Sequence, residues 1–211
     1  MSILARAAYP ARVAVRTRAD EVAMKPALLL SACLALAPAA TWAAPRTLLP
    51  DESAIEFSVK EMGVAVSGRF KRFDAAIDID AARPEKSSAT VRVDVGSLTT
   101  GNDEADAIAV DADWLDKAHA RTAMFRSTNI RVLAAGRYEA KGLLSIRNTE
   151  RDIAFQFSSV DQPDGKTIIN GEFALARSRF GIGGGVWNQG DVIADAIPVK
   201  VRLVLAPVAR R

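Results

Sequence analysis

Short runs in which apolar and polar residues alternate are the feature of this chain that most limits its fold. In residues 53–60, for example, Ile55, Phe57 and Val59 alternate with charged or hydroxyl side chains. This period of two predicts β-strands with one buried face. Nine such runs occur, at residues 53–60, 64–70, 75–80, 90–95, 122–133, 137–147, 152–160, 167–176 and 194–205. Because only residues 71–74 separate the second run from the third, we count those two as one long, bent strand, which makes eight strands.

Turn signals between the later runs favour consecutive hairpins. They are Ala135-Gly136, Asn148-Thr149 and Asp164-Gly165, of which Asp-Gly is a strong signal for a tight turn. A helical signal occurs once, in residues 101–120, where we expect a helix to begin at Asp103 and to pack through Trp114 on the sheet. The fold class predicted is all-β, a lipocalin-like eight-stranded antiparallel up-and-down barrel with one short helical segment. A β-sandwich is the competing architecture.

Residues 1–43 have the layout of a secretory signal peptide. A basic start at Lys25 precedes the apolar residues 27–40, and Thr41-Trp42-Ala43 offers small residues for cleavage. We therefore predict export to the periplasm and a mature domain of residues 44–211, with Met24 as the true start if residues 1–23 are an over-extended reading frame. The alternatives are a retained membrane anchor and a lipoprotein attached through Cys33, since Leu30-Ser31-Ala32-Cys33 matches a lipobox.

Cleavage after Ala43 would leave a mature chain without net charge. The leader holds five basic and two acidic residues, so 23 of each sign remain. A neutral domain has no excess charge with which to bind nucleic acid or anionic lipid surfaces. Cys33 is the only cysteine and would leave with the leader, so we expect neither a disulfide nor a thiolate in the mature domain.

The inward faces of the predicted strands are apolar and aromatic. We predict that they would line a lipid-binding interior, with Phe180 and Trp187, which flank a glycine run, either at its mouth or in ordinary packing. The predicted lining residues are Phe57, Val59, Val66, Phe70, Tyr138, Leu144, Ile146, Phe155, Phe157, Phe173, Leu175, Phe180 and Trp187. A barrel of eight strands is either filled by side chains or holds one small ligand, and alternation is compatible with both. In residues 122–133 the apolar phase switches between Phe125 and Ile130, which indicates a bulge.

The sequence offers no set of residues for catalysis or for a metal site. His119 is the single histidine, so we expect a surface position for it, with a lone axial haem ligand as the alternative. The aspartates of residues 103–116 lack the spacing of a calcium loop. The glycine run of residues 181–185 lacks the strand–helix context of a nucleotide loop and would allow a sharp, open connection between strands. We therefore predict a protein that is not an enzyme and that has no cofactor.

A series of short motifs runs across residues 47–205 in a defined order and spacing, at residues 51–57, 63, 66–70, 73, 78–80, 97–102, 113–116, 125–128, 142–147 and 177–187. Together these motifs resemble the YceI-like family of polyisoprenoid-binding periplasmic proteins. The resemblance implies a barrel with a long apolar cavity for an isoprenoid chain, such as a quinone tail or a polyprenyl phosphate. The chain departs from the family at Glu52, where histidine is usual, and at His119-Ala120-Arg121, where an aromatic–proline pair is usual. The leucine usual after the Thr100-Gly101-Asn102 region is also absent.

Three hypotheses on function follow from this resemblance and the apolar interior. The first is a periplasmic carrier of an isoprenoid lipid, to which each five-carbon unit would contribute about 4 kcal/mol at about 0.8 kcal/mol per methylene. The second is an accessory module that presents a quinone-like ligand to a membrane redox protein. The third is a stress protein without a ligand. A monomer and a homodimer are both compatible with the sequence.

Overall fold

Ten antiparallel strands and one short α-helix are formed by the residues that the structure describes. The computed structural model describes residues 46–188 and 192–207. The predicted leader of residues 1–43, with Met24 and Cys33, lies outside the described residues. Within the described ranges, no helix is both long enough and apolar enough to cross a membrane.

The strands coincide closely with the alternating runs of the sequence. Their bounds are β1 Ala54–Glu61, β2 Val64–Phe70, β3 Phe73–Asp78, β4 Ser88–Asp94, β5 Leu98–Thr99, β6 Thr122–Ala134, β7 Arg137–Ile146, β8 Thr149–Asp161, β9 Thr167–Ala176 and β10 Ala196–Leu205. The helix is α1, Asp103–Ala109. Short 3₁₀ turns lie at Pro50–Glu52, Pro84–Lys86, Val95–Ser97, Arg177–Phe180 and Gly185–Asn188.

Two of the strands are interrupted by a bend, and this corrects the predicted count from eight to ten. The run over residues 64–80 is not one strand, because its pairing breaks at Lys71 and Arg72, between β2 and β3. The facing run breaks at the 3₁₀ turn Val95–Ser97, between β4 and β5. Backbone bonds continue across the bend, since Lys71 N donates to Ser97 O over 3.0 Å and Asp94 N donates to Arg72 O over 3.0 Å. The ten strands therefore correspond to eight passes of the chain across the sheet, because β2 and β3 make one pass and β4 and β5 make another.

All ten strands belong to one sheet, which curls round on itself. Its order is β3-β4-β6-β7-β8-β9-β10-β1-β2-β5. β3 at one end of this order continues β2 near the other end, so the two edges meet. At that junction Arg46 bridges to Ile77 of β3 and Leu48 bridges to Leu205 of β10. The predicted all-β, curled antiparallel architecture is confirmed, and the sandwich alternative is wrong, because the described strands form a single sheet.

Tight turns join most neighbouring strands, largely as the sequence predicts. Ala135-Gly136 joins β6 to β7, with Gly136 at a φ of 69°. The turn predicted at Asn148-Thr149 lies one residue earlier, at Arg147-Asn148, because Ile146 pairs with Thr149. The predicted bulge in β6 is confirmed by register shifts between Ser127 and Asn129 and between Val132 and Ala134.

Glycine allows β6 and β7 to approach closely. A Cβ atom on Gly142 would overlap the carbonyl oxygen of Arg126 and would lie 2.6 Å from a ring carbon of Phe125. Gly171 of β9 is different, because a Cβ atom there would meet its nearest neighbour, on Phe157, at 3.4 Å. Of these two strand glycines, only Gly142 is therefore required by the backbone packing.

The helix α1 begins where the sequence predicts it. Asn102 caps it, because its side-chain oxygen accepts from Glu104 N at 3.0 Å and from Ala105 N at 3.1 Å. Acidic residues in the first turn suit the positive end of the helix dipole. The spacing of Ala105, Ile108 and Ala109 places one face of α1 towards the inside of the sheet, where all three line its cavity.

Candidate functional site

The curled sheet encloses an apolar cavity with a volume of about 310 Å³. Alternate residues of each strand point into it, as Ile55, Phe57, Val59 and Glu61 do in β1. At about 3.4 Å per residue, this row of β1 side chains extends about 20 Å along the strand. Among the described lining residues, Glu61 and Thr100 are the only ones whose side chains carry an oxygen atom. The cavity is therefore long and apolar, and few of its lining side chains carry polar atoms.

All but two of the thirteen predicted lining residues border this cavity. Those that do are Phe57, Val59, Val66, Phe70, Leu144, Ile146, Phe155, Phe157, Phe173, Leu175 and Trp187. Alternation accounts for the ten strand residues among them, because neighbouring side chains of a strand point to opposite faces of the sheet, whereas Trp187 lies in the 3₁₀ turn Gly185–Asn188. Their role in binding a lipid remains a prediction.

Tyr138 and Phe180 are the two that do not line the main cavity, so the predicted lining role of Tyr138 is wrong and Phe180 follows the packing alternative. Tyr138 points inward but is buried within the packed core, where its ring stacks on Phe157 with centroids 5.2 Å apart and planes at 16°. Phe180 ends the 3₁₀ turn Arg177–Phe180 and is buried beside a smaller pocket between β8 and β9. Both rings are buried by packing against neighbouring residues, and neither borders the cavity.

The prediction also missed several walls of the cavity. β3, β4 and β6 contribute Ile77, Val91, Val93 and Phe125, and Ile79 directly follows β3. Alternation was visible in the first two of these strands, so they could have been included, whereas the bulge in β6 hid the facing of Phe125. Further lining residues come from outside the strands, namely Ala105, Ile108, Ala109, Trp114, Leu115, Ile182 and Ile193. For the α1 residues, the spacing of three and four positions was the sequence signal that could have predicted an inward-facing side of the helix.

Aromatic rings lie along the walls of the cavity. Phe155 is central, with ring centroids 5.3 Å from Phe125 and 5.3 Å from Phe173. On the β1–β2 side, the ring of Phe57 lies over Gly68, so close that a Cβ atom on Gly68 would fall 2.9 Å from ring carbon Cε1. Because glycine leaves room for the ring against the wall, Phe57 does not have to occupy the space further inside.

The glycine run closes one end of the cavity, and buried Arg177 holds it there. Nη1 of Arg177 donates to the carbonyl oxygens of Ile182 at 2.8 Å and Gly183 at 3.0 Å. Nη2 donates to those of Trp187 and Ile193 at 3.1 Å each, and Nε donates to that of Ala194 at 3.3 Å. All five N–H groups of the guanidinium are thus used within the chain. Arg177 therefore positions the cover rather than a ligand.

A second loop packs on this cover. The carbonyl oxygen of Asp113 accepts from Gly183 N at 2.8 Å and from Gly184 N at 3.2 Å. The indole rings of Trp114 and Trp187 meet edge to face with centroids 5.8 Å apart. Gly181, Gly183 and Gly185 all have positive φ angles, a conformation that glycine adopts without steric cost. The predicted sharp connection between strands is thus the lid-like cover of the cavity.

From the exposure of Ile108 we infer that the cavity opens beside α1. Ile108 of α1 is the one lining residue among those described that is exposed, and Glu61 ends β1. The Thr100 hydroxyl is already used, because it donates to Asp106 Oδ1 at 2.7 Å, while Thr100 N donates to the same oxygen at 2.6 Å. These bonds from the Thr100 backbone and side chain hold the pKa of Asp106 below its usual value.

The residues that could have carried chemistry lie apart from the cavity. His119 is exposed, with Nδ1 2.8 Å from Asp116 Oδ1, and does not line the cavity. Within residues 46–188 and 192–207, no three histidine, cysteine or acidic side chains lie close enough to hold a metal ion. Ser127 accepts a bond from Ala89 N at 2.8 Å in the wall of the sheet. The geometry of the described residues therefore suits holding an apolar molecule.

Known proteins resemble the chain in sequence. A UPF0312 protein of Vibrio cholerae (strain O395) is 33% identical over 102 residues, which is 48% of this chain and 54% of that protein. A UPF0312 protein of Pseudomonas savastanoi pv. phaseolicola is 29% identical over 136 residues, 62% of this chain and 71% of that protein. The match thus spans about half the length of the Vibrio relative.

Solved structures share the fold. Burkholderia cenocepacia BcnA superimposes with a TM-score of 0.73 at 26% identity, over 75% of this chain and 99% of BcnA. A polyisoprenoid binding domain from Saccharophagus degradans, implicated in plant cell wall breakdown, gives 0.63 at 15% identity, over 77% and 98% of the two chains. At that identity the second likeness concerns the fold alone. The YceI-like domain matches residues 47–205, nearly all that the structure describes, and the chain therefore belongs to the YceI-like family.

Proposed function

We propose that this protein is a non-catalytic binding or carrier protein for an isoprenoid lipid. The observation that carries the proposal is the cavity of about 310 Å³, in which Glu61 and Thr100 are the only described lining residues with side-chain oxygens. Ligand sites usually combine apolar walls with a few polar groups that orient the ligand. Because so few lining groups are polar, burial of the apolar surface of the ligand would be the main source of affinity.

The energetics favour a long, unbranched or lightly branched hydrocarbon. A five-carbon isoprene unit gains about 4 kcal/mol on burial, before ordering costs, at about 0.8 kcal/mol per methylene. The apolar lining offers no compensation for a buried charge, so a polar head group would stay near the mouth, beside Glu61 and Thr100. A prenylquinone has this form, and the name of the Saccharophagus degradans domain supports an isoprenoid ligand.

We propose the periplasm as the place of action, from the layout of residues 1–43. Osmotic-shock fractionation of the native host should release a form that begins near residue 44. Attachment through Cys33 would instead leave the protein in the membrane fraction with an added lipid mass. Retention of residues 1–43 in a cytoplasmic form would contradict export.

The direct test is to identify what the purified protein holds. Native mass spectrometry of protein from its own host, followed by organic extraction, should recover an isoprenoid lipid. Recovery of no lipid, together with no binding of added prenylquinone, would refute the proposal and favour the ligand-free alternative.

A matched pair of variants on β9 tests whether the ligand occupies the cavity. Gly171→Val adds a side chain on the cavity wall, where a Cβ atom has ordinary contacts, whereas Asn170→Val adds the same residue on the exposed outer face. Prenylquinone binding should fall in the first variant and persist in the second. Equal binding by both variants would show that the ligand lies elsewhere.

A further inference from the structure

Glu61 places a charged side chain in the wall of the apolar cavity. It ends the inward-facing row of β1, after Ile55, Phe57 and Val59, and it is half-buried, while Lys60 on the opposite face is exposed. Among the described lining residues, no other side chain carries a charge. The ion pairs formed within the described ranges lie elsewhere, and none of them includes Glu61. Glu61 therefore gives the cavity a local negative charge.

Glu61 lies at the covered end of the cavity. Its backbone pairs with Ile193, whose carbonyl oxygen accepts from Nη2 of Arg177 at 3.1 Å. The loop that follows α1 packs on the same cover, because the carbonyl oxygen of Asp113 accepts from Gly183 N at 2.8 Å. A head group at this end of the cavity would therefore lie close to the Glu61 carboxylate.

The buried cation at this end, Arg177, is not available to an anionic head group. All five of its N–H groups donate to carbonyl oxygens, and Arg177 does not line the cavity. Its charge also acts on a carboxylate of the protein. Hydrogen bonds from Ser178, together with the nearby Arg177 guanidinium, hold the pKa of Asp195 below its usual value. Glu61 therefore sets the sign of the charge that a ligand meets.

The other polar groups of the lining suit an uncharged head group. The Thr100 hydroxyl already donates to Oδ1 of Asp106 at 2.7 Å, so a further acidic group lies next to it. The remaining side-chain donors of the described lining are the neutral indole N–H groups of Trp114 and Trp187. Nε1 of Trp114 is buried and has no hydrogen-bond partner among the described residues. Phosphates are usually bound through charged donors, and this lining has none.

We propose that Glu61 makes the cavity select isoprenoids with an uncharged head group, such as a prenyl alcohol or a prenylquinone, over prenyl phosphates. The inference rests on the proposed function, because it names the head-group class of the lipid bound there. An ionised carboxylate repels a phosphate, and such contacts between like charges reject a wrong partner. A hydroxyl head group, by contrast, carries no charge and can donate a hydrogen bond to the carboxylate.

The test compares farnesol with farnesyl phosphate, which share one tail and differ only in the head group. Binding to the purified protein is followed by tryptophan fluorescence, since Trp114 and Trp187 border the cavity. We expect the unaltered protein to bind farnesol about tenfold or more tightly than farnesyl phosphate. In Glu61→Gln, which keeps the shape of the side chain and removes its charge, this preference should shrink about tenfold. Glu56→Gln is the matched control, because Glu56 is exposed on the outer face of the same strand, and it should leave the preference unchanged.

A second variant, Glu61→Lys, should make farnesyl phosphate the tighter ligand, and near-UV circular dichroism checks that each variant is folded. Two outcomes would overturn the inference while the proposed function stands. One is that the unaltered protein binds farnesyl phosphate as tightly as farnesol. The other is that Glu61→Gln weakens both ligands alike and keeps the preference, as a purely structural role would require. Failure of the unaltered protein to bind either ligand would refute the proposed function, and this inference with it.

Discussion

Arg177→Met tests whether one buried guanidinium holds the cover of the cavity. Three of its bonds, to the carbonyl oxygens of Ile182, Gly183 and Ile193, are fully buried, and Arg177 itself is 3% exposed. Methionine fills similar space but donates no hydrogen bond, so these three oxygens lose a charged partner. At about 1 kcal/mol for each buried acceptor left unpaired, the free energy of unfolding should fall by about 3 kcal/mol.

Urea denaturation followed by tryptophan fluorescence measures this loss. With a slope of about 2 kcal/mol per molar urea, the midpoint of unfolding should fall by about 1.5 M. Arg179→Met is the matched control, because Arg179 is exposed in the same 3₁₀ turn and its replacement should leave the midpoint unchanged. A midpoint for Arg177→Met within about 0.3 M of the unaltered protein would refute the reasoning, since that shift corresponds to less than one hydrogen bond.

Three further predictions concern the strands and the mouth. Gly142→Ala should destabilise the protein by about 1–3 kcal/mol through overlap with β6, whereas Gly171→Ala should be neutral or stabilising; equal midpoints in urea would contradict this. Asn102→Ala should cost about 1 kcal/mol through loss of the α1 cap, and unchanged thermal stability would exclude that role. Asp106→Asn should destabilise at neutral pH but not in strong acid. Because the pKa of Asp106 is lowered in the folded protein, its ionised carboxylate contributes its full stabilisation above the usual pKa of 3.8. That stabilisation is lost as the pH falls through the folded-state pKa. A difference in stability between Asp106→Asn and the unaltered protein that does not shrink in acid would contradict this prediction.

Much of the wall of the cavity was predictable because the alternation of a strand is local. Phe57 and Val59 of β1, or Phe155 and Phe157 of β8, face inward for the same reason that their neighbours face outward. The start of α1 was likewise predictable, since Asn102, Asp103 and Glu104 form a capped, acidic first turn. These features depend on residues close together in the sequence.

Other features depend on contacts between distant residues. The bend at Lys71 and Arg72 divides a run that alternation alone would continue, because the chain must turn to pair first with β1 and then with β4. The role of Arg177 was not predictable, since its five acceptors lie in residues 182–194 and converge only in the folded chain. Tyr138 faces inward as predicted, but the stacked ring of Phe157 decides that it packs in the core.

The alternating sequence by itself determined an all-β chain with an apolar inner face and polar outer face, because each strand needs only its own residues for that pattern. Whether the interior is filled or open was decided by the tertiary structure. A ring such as Phe57 lies against the wall only because Gly68 of the next strand leaves room for it. The open volume therefore depends on many such contacts between strands, and no single stretch of the sequence determines it.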